Sequence, residues 1–181
     1  MVLTELSLKG VFLVSGPVRE DKRGIFRELY REDALSGAGI SPRFVQDNLS
    51  VSKRGVIRGL HLQREPYSQA KLVYVLSGAV WNVVVDLNPG SQTFGRWTGI
   101  ELSAQRGEGL FIPESFANGF ASLEEGTTVF YKVTKQYEPS SEAGIRWNDP
   151  SLGIRWPFSD PILSEKDAGL PFVTSFRRNA G

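Results

Sequence analysis

KLVYVLSGAVWNVVVDL, residues 71–87, consists of two runs of β-branched and aromatic residues hinged at Ser77-Gly78. Each half is too short for a helix and is bounded by turn residues, so each predicts a strand. Working outward, similar short runs recur on both sides. GVFLVSG, GIFRELY, RFVQDNLS and GVIRGLHLQ precede it, and RWTGIEL, GLFIP, GFASL and TTVFYKVTK follow. The 19 glycines and 10 prolines are spread between these runs as turns rather than pooled in a linker. Helical spacing is scarce: Arg31–Ser36 and Ser164–Ala168 could each make a turn or two, with Ser164 placed to cap the second. The expectation is an all-β sandwich or small barrel with a few short helices, as a single domain over residues 1–181.

Composition narrows the function. Lys plus Arg number 21 against 20 Asp plus Glu, leaving a net charge of +1 and no excess of cations for a nucleic-acid footprint. With no cysteine there is no disulfide framework, which suits a reducing, cytoplasmic setting. The opening MVLTELSLKGVFLVSG has neither a basic leader nor a long apolar stretch, so neither a signal peptide nor a membrane span is expected.

Only one histidine occurs, His61, in Arg58-Gly59-Leu60-His61-Leu62-Gln63. Without cysteine or further histidines to share a metal, it is either an acid or base or a hydrogen-bonded structural histidine. Strand alternation assigns the other candidates to faces. Lys71 is in phase with Val73 and Val75, and Tyr131 with Val129 and Val133; Gln46, Asn48 and Ser50 share one face of their strand. Either polar groups line a pocket inside a barrel, or Lys71 marks a strand edge and Tyr131 is an amphipathic core residue. By parity Arg58 and His61 fall on opposite faces. They can share a pocket only if the chain kinks, and Gly59 is the place for it.

DKRGIFRE, FVQDNLSVSKRGVIRGLHLQ, KLVYVLSGAVWNVVVDL, GSQTFGRW, FIPESFANGF, the Tyr131-Lys132 pair, YEPSSEAGIRWNDPSLGIRWP and LSEKDAGLP follow one another between Asp21 and Pro171. This ordered set resembles the sugar-nucleotide epimerases of deoxysugar biosynthesis, the dTDP-4-dehydrorhamnose 3,5-epimerase family. The resemblance implies a cupin-type jelly-roll β-barrel acting on a dTDP-linked 4-keto-6-deoxyhexose without a cofactor. It also implies a homodimer with swapped N-terminal strands, in which Arg23, Phe26 and Glu28 serve the neighbouring subunit's site.

By the same resemblance His61 is the base, Asp167 its orienting partner, Lys71 the holder of the enolate oxygen and Tyr131 the acid on the opposite ring face. Gln46, Asn48, Arg58, Asn118, Tyr137, Glu142 and Lys166 match substrate-binding positions. Metal-binding cupins use histidines and a glutamate where this chain has Gln63, Lys71 and Asn118, so no metal is expected. Two positions depart from the family: Asn118 stands where its Ala-His-Gly-Phe segment has histidine, and Asn82 where aspartate is common. An amide there can still donate a hydrogen bond to a substrate oxygen but carries no titratable proton. Inversion at one carbon only, ketone isomerisation, and a non-catalytic sugar-binding cupin stay open as alternatives.

Overall fold

In the computed structural model, which describes residues 1–37, 39–40 and 43–178, the chain is built of short antiparallel strands. In order they are β1 (Val2–Glu5), β2 (Phe12–Ser15), β3 (Val18–Asp21), β4 (Gly24–Arg27), β5 (Gln46–Ser52), β6 (Ile57–Gln63) and β7 (Lys71–Ser77). β8 (Ala79–Asp86), β9 (Trp97–Ser103), β10 (Gly109–Ile112), β11 (Phe116–Ser122), β12 (Thr127–Val133) and β13 (Glu142–Gly144) follow. The helices are short: α1 (Glu32–Ser36), α2 (Glu165–Ala168) and α3 (Val173–Arg178). Both helical turns expected from the sequence are present, whereas α3, β1 and the three-residue β13 carried no readable signal.

Two sheets face each other. One runs β1-β2-β10-β7-β12-β5, the other β13-β6-β11-β8-β9, and β3-β4 form a separate hairpin. The two halves of residues 71–87 thus belong to different sheets. Gly78 is the corner at which the chain crosses over; its φ of 75° suits glycine, and a Cβ there would stand 2.6 Å from the Thr127 hydroxyl.

Near-continuous apolar runs arise because both faces of the central strands are covered. Between the sheets, Val73 and Val75 of β7 pack with Val80 and Val84 of β8, Leu110 and Ile112 of β10, Phe120 of β11 and Val129 of β12. On the outside of the five-stranded sheet, Leu60, Val83 and Val85 are covered by Ile145, Val173 and Phe176. On the outside of the six-stranded sheet, Leu72, Tyr74 and Phe111 lie under Leu29, Tyr30 and Phe44. The space between the two sheets is filled with hydrocarbon at one end and lined with polar groups at the other.

Candidate active site

Both sheets wall a cavity of about 470 Å³. The six-stranded sheet contributes Ser50, Lys71, Val73, Val129 and Tyr131; the other contributes Arg58, His61, Asn118, Gly119, Phe120 and Glu142. Tyr137 and the first turn of α2 close the rim, and an adjoining recess reaches Gln46, Asn48 and Gln63. The alternation assigned to β5, β7 and β12 therefore holds: Asn48, Tyr131 and Val73 lie side by side across three strands. Lys71 stands on an internal strand, not on a sheet edge.

Arg58 and His61 both reach the cavity because β6 bulges between them. Opposite it, Asn118 pairs with His61 and Phe120 with Arg58, so three steps on one strand match two on the other. Gly59 has a φ of 125°, and a Cβ on it would come within 2.5 Å of the Gly119 Cα. Only glycine fits this position. Arg58 is then aimed by a pair the sequence reading missed: its Nε donates to the Ser52 hydroxyl at 3.0 Å and its Nη2 to the Val51 carbonyl at 3.3 Å.

His61 and Asp167 meet. Nε2 of His61 lies 2.6 Å from Oδ1 of Asp167, whose Oδ2 accepts the Gly59 N–H at 3.3 Å. Asp167 is placed by α2, where its own N–H donates to the capping Ser164 hydroxyl at 3.1 Å. Burial works to raise the Asp167 carboxyl, but the hydrogen bond and charge of His61, the Gly59 N–H and the Lys166 charge outweigh it and leave the group below its ordinary value. Ionised, it can only accept, so Nε2 carries the imidazole proton and Nδ1 the lone pair.

Lys71 Nζ donates to the His61 carbonyl at 3.1 Å. Burial pushes its ammonium down to about 8, opposed by the Glu142 charge. Burial also raises the Tyr131 phenol, with the Arg58 guanidinium pulling the other way, so the hydroxyl is protonated at neutral pH. Burial likewise works to raise Glu142. It is outweighed by hydrogen bonds from Lys166 Nζ at 2.7 Å and the Tyr137 hydroxyl at 2.8 Å, and the carboxylate ends lowered.

The segment carrying Tyr137 is held by glutamines. Gln63 donates to the Tyr67 and Gln136 carbonyls and accepts the Glu138 N–H, while Gln46 accepts the Tyr137 N–H and donates to Asn48. Gln46 and Asn48 therefore shape the recess as well as facing it.

Asn118 does not offer its amide hydrogens to the cavity: Nδ2 donates to Asn82 Oδ1 at 2.7 Å and to the Val83 carbonyl at 3.0 Å. The wall engages both amide hydrogens, which leaves Oδ1 as the side chain's remaining polar atom. Arg23, Phe26 and Glu28 lie on or beside the β3–β4 hairpin and do not line their own chain's cavity. Arg23 is paired with Asp21, and Phe26 is 69% exposed. Among the described residues no three His, Cys, Asp or Glu side chains group to hold a metal ion.

Residues 5–175 match the family model described as dTDP-4-dehydrorhamnose 3,5-epimerase. The enzyme of that name from Methanothermobacter thermautotrophicus is 47% identical over 164 residues, covering 89% of this chain and 88% of its own. The Legionella pneumophila epimerase, solved in complex with dTDP-4-keto-L-rhamnose, superposes with a TM-score of 0.92 at 39% identity, covering 96% of this chain and 93% of its own. The 3'-monoepimerase ChmJ from Streptomyces bikiniensis, in complex with dTDP-quinovose, also gives a TM-score of 0.92, at 33% identity, covering 97% of this chain and 89% of its own.

Proposed function

The chain belongs to the dTDP-4-dehydrorhamnose 3,5-epimerase family, and from that premise we propose that it inverts C3 and C5 of dTDP-4-dehydro-6-deoxy-D-glucose to give dTDP-4-dehydro-L-rhamnose. The observation that carries this reading is an imidazole from one sheet and a phenol from the other lining one cavity, with an ammonium beside them. His61 Nδ1 removes a proton from the carbon next to the C4 ketone, and Asp167 stabilises the imidazolium formed. The C–H electron pair moves into the ring and the negative charge settles on the C4 oxygen, where Lys71 holds it. Tyr131 returns a proton from the opposite face and so inverts the carbon. Arg58 is placed to hold a diphosphate oxygen. The cytoplasm is the setting that a cysteine-free chain suits, and no helix among the described residues is long and apolar enough to cross a membrane.

Incubating the protein with the 4-keto sugar nucleotide in deuterated water tests the reading. Deuterium at both C3 and C5, followed by NMR, is the expected result; incorporation at neither carbon would remove the proposal. A second reading, inversion at one carbon only, is favoured by the neutral Asn118–Asn82 pair, and label at a single carbon would select it.

The working unit is proposed to be a homodimer that exchanges its β3–β4 hairpins. Two observations support this: the strands of the hairpin pair with neither main sheet, its link to the end of β9 being the Arg27 side chain, and the edge strand β5 turns Leu49 and Val51 outward, each 59% exposed. In such a dimer Arg23 and His61 serving one site come from different chains. Mixing His61→Ala with Arg23→Ala, each inactive alone, is then expected to restore roughly a quarter of the activity through hybrid dimers with one intact site. No recovery after mixed refolding would show that each chain supplies its own Arg23.

A further inference from the structure

Asn118 and Asn82 form a hydrogen-bonded chain whose polarity is set from the backbone. The Val83 carbonyl can only accept, so the Asn118 atom 3.0 Å from it is Nδ2. That nitrogen also lies 2.7 Å from Asn82, which must therefore present Oδ1. Asn82 is fully buried, and its own Nδ2 is left without a partner. Rotating the Asn82 amide to relieve this would set two donors against each other. The polarity is locked, and it leaves one polar atom of Asn118 for the cavity: the acceptor Oδ1.

We infer that Asn118 is a specificity-determining residue that reads a sugar hydroxyl by accepting its hydrogen bond, with Asn82 as the positioning residue that turns the acceptor outward. The inference rests on the sugar-nucleotide reading given above and deepens it. An acceptor repels a developing enolate oxygen, so the C4 oxygen belongs with the Lys71 ammonium and away from Asn118. On a 4-keto-6-deoxyhexose whose C1 carries the diphosphate, the ring donors that remain are the hydroxyls on C2 and C3. One of them faces Asn118.

The test uses ligands that bind without reacting. Calorimetry compares dTDP-6-deoxyglucose with its 2-deoxy and 3-deoxy forms, on the unmodified protein, on Asn118→Leu and on Asn82→Asp. One deoxy ligand is expected to bind the unmodified protein about 3–10-fold more weakly than the parent. That difference should vanish in Asn118→Leu and persist in Asn82→Asp, which still offers Asn118 an acceptor. Equal affinities for all three ligands on the unmodified protein overturn the inference even if Asn118→Leu fails to fold, and so does an undiminished difference in a folded Asn118→Leu. Absence of any binding by dTDP-6-deoxyglucose overturns the sugar-nucleotide reading itself.

Discussion

His61→Ala is expected to abolish deuterium wash-in at the carbons flanking the ketone, a loss on the order of 10²–10⁴-fold in proton-transfer rate. His61 is the only histidine in the chain, so no second imidazole can substitute. Binding of dTDP should survive, because the phosphate-facing candidate Arg58 is held by Ser52 and Val51 and not by the imidazole. Asp167→Asn should approach the same loss by another route. An amide can accept the Nε2–H but offers no negative charge to the imidazolium, and its own N–H2 invites the wrong tautomer. Rapid wash-in by either variant, measured by NMR against the unmodified enzyme, would remove the dyad from the mechanism.

Lys71→Met should lower kcat by about 10²–10³-fold, the usual cost of losing one preorganised partner for a developing oxyanion. Methionine fills similar space but carries no charge. The pH profile separates this from a packing effect. The ammonium is charged below about pH 8 and neutral above, so the unmodified enzyme's rate should fall as pH rises through that value. The methionine variant should lack that limb. Stability runs the other way. A lysine titrating near 8 when folded and in the ordinary range when unfolded destabilises the fold fully below about pH 8, and the penalty is relieved as pH climbs toward the ordinary lysine value. Lys71→Met should therefore melt no lower than the unmodified protein at pH 7, and any advantage should shrink at pH 10. A variant that melts lower at pH 7, with an unaltered pH–rate profile, would make Lys71 a structural residue.

Much of this arrangement was legible in the chain itself, and the limits have physical causes. Residues 71–87 announced strands because their side chains suit a pleated surface covered on both sides. Parity grouped Lys71 with Val73 and Val75, Tyr131 with Val129 and Val133, and Gln46 with Asn48 and Ser50, since a period of two needs no tertiary information, but left open whether those faces line a pocket. The kink at Gly59 was anticipated from two polar residues an odd number apart. The His61–Asp167 contact was not readable, because it joins residues 106 apart through a four-residue helix. Ser52 behind Arg58 and the glutamines under Tyr137 carried no signal, as short-range patterns do not report which backbone carbonyl a side chain will find. Nor did composition reveal the orientation of Asn118, which depends on the Val83 carbonyl of a neighbouring strand.

The bond from Lys71 Nζ to the His61 carbonyl crosses between the opposed walls of the barrel. It links the proposed base to the proposed holder of the enolate charge. Slippage of one wall past the other would carry both groups along in tandem, so their mutual spacing resists the breathing of the scaffold. Tyr131 rides on β12, which is paired with the β7 strand of Lys71, so the phenol is held in register with the ammonium by the sheet itself.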